Sequence, residues 1–267
     1  MHVRMLGRAL SALALTVAGV LAGTVLPTPA QAALAVNYAA LGDSFSSGVG
    51  AGPYDTSGCL RSQRSYPPLW VTAHPADTFR FVACGGAVTQ DVIDNQVSAL
   101  DAGTTLVTIT IGGNDAGFAD VVLTCQFGSD AACAAAVNEG RAFATTELPG
   151  RLDRTYAAIR SGAPNARLVV LGYPRLFELP RTCGLLGMSL AKRTIINGGA
   201  DVLATVISER AAAAGATFVD TRGVFAGHGF CSSSPWINGI SALTGAYHPN
   251  AAGYRSGYLV ALTSVTG

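Results

Sequence analysis

Five short apolar runs, several ending at a glycine followed by polar residues, constrain this chain more than any other feature of it. The clearest is Thr105–Ile111, TLVTITI, filled with β-branched residues and bounded by glycines, which predicts a strand. The runs are apolar throughout rather than alternating, as in a sheet covered on both faces. Val36–Leu41, Phe79–Ala83, Arg167–Leu171 and Thr217–Val219 read as four further strands. Helical stretches separate them. Ala144, Leu148, Leu152, Tyr156 and Ile159 recur every three or four residues, as one buried helix face does, with Pro149 kinking the stretch or starting a new helix. Ser189–Ala214 predicts a long helix ended by Gly215, and Ala251–Leu262 a third that starts after Pro249-Asn250. Strands alternating with helices pair in parallel through right-handed crossovers. The expected fold is therefore α/β: a three-layer α/β/α sandwich around a mostly parallel five-stranded sheet, in one domain without repeats or linkers.

The first thirty residues follow different rules. Arg4 and Arg8 precede an uncharged apolar run from Ala9 to Leu26, then Pro27, Pro29 and the small-x-small triplet Ala30-Gln31-Ala32. A positive head, an apolar middle and a peptidase site predict a signal peptide over 1–32, cut after Ala32, leaving 33–267 as the secreted domain. The run is long enough to compete as a membrane span, but the processing site and the lack of basic residues after it favour cleavage. The sequence offers no second apolar span and hence no stable membrane anchor. A net charge of +1 gives no electrostatic case for nucleic acid. All six cysteines, Cys59, Cys84, Cys125, Cys133, Cys183 and Cys231, follow the leader, and an even number in an exported chain reads as disulfides. Six cysteines allow fifteen connectivities; sequential pairing is the simplest, and the sequence alone does not choose. No Cys-x-x-Cys and no histidine at ligand spacing is present, so no metal site is expected.

Sites in open parallel sheets form beyond the carboxyl ends of the strands. Gly42-Asp43-Ser44-Phe45-Ser46 follows the first expected strand, Cys84-Gly85-Gly86-Ala87 the second and Gly112-Gly113-Asn114-Asp115 the third. Tyr247-His248-Pro249-Asn250 stands in front of the last helix. These are the parts of an acyl-transfer site. A serine hydroxyl needs a base to take its proton, and histidine is suited to that near neutral pH. A tetrahedral intermediate needs donors aimed at its oxyanion, which a side-chain amide and backbone N–H groups supply. Asp43 and Asp115 read as supports of their turns. His74 reads as a surface loop residue, and His228, between two glycines, is the rival base. The Gly48–Gly52 run lacks a following Gly-Lys-Ser/Thr, and the Gly-x-Ser-x-Gly elbow of another serine-esterase fold is absent.

The four blocks in this order, Gly42-Asp43-Ser44, Gly86, Gly113-Asn114-Asp115 and His248, resemble the SGNH, or GDSL, hydrolase family, most of all its secreted bacterial lipases and esterases with three disulfides. The resemblance implies a flavodoxin-like sandwich and sequential disulfides. It also implies Ser44 as nucleophile, His248 as base, and an oxyanion hole of the Ser44 and Gly86 amides with the Asn114 side chain. Many members carry an Asp three residues before the histidine; here that residue is Gly245. A backbone carbonyl, of Ala246 or Gly245, must then orient the imidazole, giving a Ser–His dyad, with Asp220 a less favoured third member. The expected function is a secreted, monomeric serine esterase or lipase that acts on lipid or small-molecule esters through an acyl-enzyme and needs no cofactor. A carbohydrate acetyl esterase with the same residues is the alternative, and the intact set of blocks argues against a non-catalytic binding module. Acyl-chain length depends on loops such as 48–68 and 229–245. Trp236 and Phe230 line an acyl groove or, as is commoner for aromatics, pack under the loop.

Overall fold

All five expected strands form, and all are parallel. The computed structural model describes His2 and residues 36–179, 182–183 and 187–267. The expected leader and its cut after Ala32 fall outside these residues apart from His2. The strands are β1 (Asn37–Gly42), β2 (Thr78–Phe81), β3 (Leu106–Thr110), β4 (Arg167–Leu171) and β5 (Thr217–Val219). Their order is β2-β1-β3-β4-β5. From β1 the chain steps outward to β2, then returns past β1 to β3, so the direction of winding reverses between β1 and β3. In open sheets that reversal opens a crevice at the strand ends.

The helices are α1 (Ser44–Ser47), α2 (Tyr66–Ala73), α3 (Thr89–Asp91), α4 (Phe118–Phe127), α5 (Asp130–Thr146), α6 (Leu148–Gly162), α7 (Leu190–Ala213) and α8 (Leu259–Thr266). A π turn and a 3-10 turn extend α3 through Val92–Gln96 and Val97–Ala99, and a π-helical stretch, Gly253–Tyr258, leads into α8. Right-handed crossovers that run in opposite directions land on opposite faces of a sheet. Accordingly α2 packs with α8, while α6 packs with both α3 and α7 and α5 joins α7. The sheet is the middle layer: every residue of β3 is buried, and β4 is buried from Leu168 onward.

Pro149 starts a helix rather than kinking one. It sits in the first turn of α6, where its missing N–H costs nothing, and Leu148, Leu152, Tyr156 and Ile159 form the buried face. Ser189 caps α7 through its hydroxyl, which accepts from the Lys192 amide, and Gly215 stands just past the helix end at φ +64°. The expected strand limits move by one or two residues in β1, β2 and β3. Five helices go beyond the three expected stretches: α1, α2, whose Pro67 and Pro68 lie in a first turn that tolerates proline, α3, α4, and α5, which meets an expected stretch only at Ala144.

The disulfides are Cys59–Cys84, Cys125–Cys133 and Cys183–Cys231, the sequential pattern. The first ties the segment after α1 to the end of β2, and the second joins α4 to α5. Ala35–Gly267 forms one compact unit. Among the described residues no helix is long and apolar enough to cross a membrane.

Candidate active site

The end of β1 comes so close to β3 that only glycine fits there. Gly42 has φ +119°, and a Cβ on it would lie 2.4 Å from the Thr110 carbonyl oxygen. The next residue, Asp43, is buried and caps the single turn of α1. One carboxylate oxygen accepts from the Phe45 amide (3.0 Å) and the Thr110 hydroxyl (2.7 Å), and the other accepts from the Tyr173 hydroxyl. Burial raises the Asp43 carboxyl to about 6, against the pull of these three donors. The cap fixes α1, and α1 presents Ser44 in its first turn, where the backbone N–H has no acceptor within the helix.

His248 meets Ser44 from the other end of the chain: Nε2 lies 2.8 Å from Oγ. On the opposite side of the ring, Nδ1 is 2.9 Å from the Ala246 carbonyl oxygen. A carbonyl only accepts, so Nδ1 carries the proton and the Nε2 lone pair faces the serine hydroxyl. The imidazole lies between the rings of Phe45 (4.9 Å) and Phe118 (5.7 Å), and this desolvation pulls its pKa down to about 4, leaving it neutral at pH 7. Of the two carbonyls expected to orient the ring, that of Ala246 is the one within hydrogen-bond distance of it. Gly245 instead accepts the backbone N–H of His248 at 3.1 Å.

The turn that carries His248 is locked against the loop after α1. Asn238 receives Tyr247 N–H, donates its own N–H to the His248 carbonyl and its side-chain amide to the Gly50 carbonyl. A Cβ on Gly245 would lie 2.6 Å from Gly50 Cα, and one on Gly50 would lie 2.4 Å from the Pro249 carbonyl oxygen. Tyr247 adopts φ +58°, a left-handed conformation uncommon for a tyrosine, which aims the next residue back toward Ser44.

After β3, Asn114 approaches the same point, its side-chain amide steered by one hydrogen bond to the Ala87 carbonyl (3.0 Å). The neighbouring Asp115 accepts from the Thr89 amide (2.9 Å) and hydroxyl (2.6 Å), tying this turn to the segment after β2. Gly86 sits in that segment at φ +84°, with open space where a side chain would stand. Behind Ser44 and Asn114 lies a cavity of ≈ 90 Å³ whose walls include Phe118, Val121, Val137, Leu176, Ile196 and Leu203. The other sequence candidates lie elsewhere. His228 stacks on Trp236 at 3.7 Å and bonds the Ser234 carbonyl. His74 stacks on Trp70 at the end of α2. Asp220 is held by Arg222 at 2.6 Å. Trp236 packs against Phe225, and Phe230 against Phe177 and Tyr247, beneath the His248 turn.

Tyr173 is the residue that reading the sequence missed. Its hydroxyl donates to Asp43 and accepts from the Gly113 amide at 3.1 Å, linking the turns after β1 and β3. The signal was present in Gly172-Tyr173-Pro174, another strand end followed by polar and turn residues. Tyr254 is a second: fully buried, its hydroxyl donates to the Val49 carbonyl (2.9 Å) and lies 3.3 Å from that of Ser44.

Known proteins resemble this chain in sequence and in fold. The chain is 49% identical over 257 residues to Lipase 1 of Streptomyces coelicolor, covering 95% of each. Its structure matches that of an extracellular lipase from Streptomyces rimosus with a TM-score of 0.84 at 47% identity, over 87% of this chain and 100% of that one. It matches phospholipase A1 from Streptomyces albidoflavus with a TM-score of 0.84 at 50% identity, over 86% of this chain and 99% of that one. The model of the GDSL-like lipase/acylhydrolase family spans residues 40–256, from within β1 to the π-helical stretch before α8. With that model covering most of the chain, and a relative near half identical over almost its whole length, the chain belongs to the GDSL-like lipase/acylhydrolase family.

Proposed function

We propose that Ser44 and His248 form a catalytic dyad that hydrolyses carboxylic esters of lipids through an acyl-enzyme. The observation that carries this is the unbroken line from Ala246 O through both imidazole nitrogens to Ser44 Oγ, at 2.9 and 2.8 Å. Ser44 Oγ attacks the ester carbonyl carbon as its proton passes to His248 Nε2, and the imidazolium keeps its Nδ1–H on Ala246. The oxyanion receives the Ser44 N–H, the Gly86 N–H and the second N–H of the Asn114 amide, each worth roughly 10²–10³ in rate. His248 returns the proton to the leaving alcohol oxygen. Water, deprotonated in turn by Nε2, then releases the acid from Ser44. No step calls for a cofactor.

The apolar cavity behind Ser44 favours an extended acyl chain over the acetyl group of a carbohydrate ester, and the likeness to a phospholipase A1 favours phospholipids among the substrates. Residues 1–32 act as a leader removed after Ala32, and the protein is secreted as a monomer. Support for export comes from the compact unit that begins at Ala35, the three disulfides, and a match that takes in the whole of an extracellular lipase with 87% of this chain. The test is Ser44→Ala. It should abolish hydrolysis of p-nitrophenyl butyrate and of phosphatidylcholine while leaving the melting temperature within a degree or so; turnover retained on either ester would refute the assignment. Comparing acetate released from acetylated xylan with fatty acid released from an emulsion separates the two substrate classes.

A further inference from the structure

Four large apolar side chains on or beside the elements that frame the site stand in solvent. Leu123 (52% exposed) and Phe127 (76%) lie four residues apart on the outer face of α4, so they share one side of the helix. The inner side of the same helix, through Phe118, Val121 and Val122, lines the cavity behind Ser44. Leu190 (48%) begins α7, whose Ser189 bonds Asp130 at the start of α5. Leu243 (84%) stands at the tip of the 3-10 turn Ile240–Gly245, five residues before His248. Its φ of +46° is a backbone conformation that leucine rarely adopts, so the turn spends strain to display an apolar side chain.

These residues are linked mechanically. Tyr247 O–H donates to the Gln126 side chain at 2.5 Å, joining the residue before His248 to the residue before Phe127. The Leu243 carbonyl accepts the Ala246 amide at 3.0 Å. Phe127 and Leu243 therefore rest on the two sides of a single hydrogen bond beside the imidazole. Charge is scarce here. From Gly223 to Tyr254, a stretch that includes the whole His248 turn, the sequence has no Asp, Glu, Lys or Arg, and α4 has only Asp120.

We infer that Leu123, Phe127 and Leu243 form a docking surface for a zwitterionic phospholipid surface. They seat the mouth of the site on the lipid, so that an acyl chain passes from bilayer to cavity along α4 without crossing water. An apolar patch continuous with a lipid-ester site fits a lipid interface, and a rim that sets a single cation, Lys192 on the Gly128 carbonyl at 2.6 Å, against Asp120 and Asp130 offers no cluster of basic residues for an anionic one. A second copy of the chain is the competing occupant. The inference rests on the esterase reading.

The experiment measures co-sedimentation of the protein with vesicles of ether-linked phosphatidylcholine, which carry no ester to cleave, beside kcat/KM for p-nitrophenyl butyrate below its solubility limit. Partition reports docking alone, and the soluble ester reports the esterase reading alone. The parent should bind the vesicles about equally at low and at roughly 0.5 M salt, since apolar contacts are not screened. Phe127→Ser with Leu243→Ser should lower partition by about tenfold or more, on the scale of large side chains returned to water. It should lower hydrolysis of phosphatidylcholine vesicles in parallel and leave turnover of the soluble ester within about twofold. Phe127→Leu should keep most of the binding. The inference falls if the parent does not bind, if the double variant binds as the parent does, or if binding vanishes in salt. It falls equally if the double variant loses the soluble ester too, or if the parent dimerises through this face in the absence of lipid.

Discussion

Gly245 occupies the position where the resemblance implies an aspartate, and the structure gives a steric reason for the difference. A Cβ on residue 245 would lie 2.6 Å from Gly50 Cα, 3.2 Å from Gly50 N and 3.4 Å from the Asn238 side-chain nitrogen. Carbon atoms pack at about 3.5–4.0 Å, so a methyl group requires roughly 1 Å of movement. Gly50 has little room to give it, because the space beside its own Cα is taken by the Pro249 carbonyl and His248 Cβ, which a Cβ there would meet at 2.4 and 3.1 Å. The movement must come from the turn that holds His248. Gly245→Ala should therefore cost about 1–3 kcal/mol, as overpacking does, and lower the melting temperature by about 2–4 °C for each of those kcal/mol. A shift of that size opens the 2.8 Å contact between Nε2 and Ser44 Oγ and should cost about 10² in kcat/KM. The assay is steady-state hydrolysis of p-nitrophenyl butyrate beside a thermal melt, with Gly223→Ala as control, since a Cβ there meets nothing within 4 Å. Gly245→Asp should be no better than Gly245→Ala. A Gly245→Ala enzyme with parental kcat/KM and melting temperature would refute the claim that this glycine is required by close approach.

Asp220→Ala should leave kcat within about tenfold of the parent, because Asp220 is committed to Arg222; a fall near the ~10⁴ typical of a neutralised triad carboxylate would show that it orients the imidazole. The acid limb of kcat/KM should fall near pH 4 rather than 6.5, because His248 must be neutral to accept a proton and burial lowers its pKa; a limb near 6.5 in the profile for the soluble ester would mean a solvated ring. Stability should carry two opposed signatures. His248, lowered from 6.5 to about 4, contributes stability that is present above pH 6.5 and lost as pH falls through 4. Asp43, raised from 3.8 to about 6, contributes stability present below pH 3.8 and lost as pH rises through 6. Each shift is on the order of 3 kcal/mol and the two slopes cancel between pH 4 and 6, so Asp43→Asn should fall steeply in urea-melt stability from pH 6.5 to 4 while the parent stays nearly level; equal slopes would refute the pairing. Tyr173→Phe should destabilise by about 1–3 kcal/mol in the same melts, because it strips a buried donor from Asp43 and an acceptor from the Gly113 amide; an unchanged midpoint would show that water replaces the hydroxyl.

How much of this was legible beforehand depends on the range of the interaction. The strands could be read because a sheet covered on both faces favours apolar and β-branched runs, and Leu168-Val169-Val170-Leu171 and the β-branched TLVTITI show this without reference to any other segment. The site blocks could be read because a parallel sheet sends all its carboxyl ends to one rim, so Ser44, Gly86 and Asn114 inherit proximity from topology. The helix α2 was hidden because Pro67-Pro68 reads as a break unless both prolines fall in a first turn, which depends on where Ser65 ends the preceding loop. The outward-facing Leu123 and Phe127 confuse the period of α4, since apolar residues then occupy more than one side. Choosing between Ala246 and Gly245 as the partner of the imidazole needed the φ of Tyr247, which no residue pattern encodes. Tyr173 is not legible in the sequence because its role is a bond to Asp43, 130 residues away, and a tyrosine after a strand has many uses.

A carbonyl in place of a carboxylate behind the histidine changes where the charge is balanced. With a carboxylate, the imidazolium formed during attack finds a full negative charge already waiting. Ala246 offers only a dipole, and desolvation between Phe45 and Phe118 makes the protonated ring costly, by about 3 kcal/mol against a solvated histidine. That cost is set with no substrate present. In the proposed dyad the proton reaches Nε2 during attack as the substrate oxygen becomes an anion, so both charges appear together in the same dry space. At roughly 4 Å and an effective dielectric near 20, opposite unit charges attract by about 4 kcal/mol, enough to offset the desolvation of the ring. Over the somewhat longer separation that Ser44 imposes between oxyanion and imidazolium the gain is smaller, and the amides proposed to surround the oxygen supply the remainder. In such a dyad the oxyanion does part of the work that the missing aspartate does elsewhere. The same desolvation that lowers the basicity of His248 keeps its lone pair free for Ser44 down to acid pH, and it strengthens the attraction on which proton transfer depends.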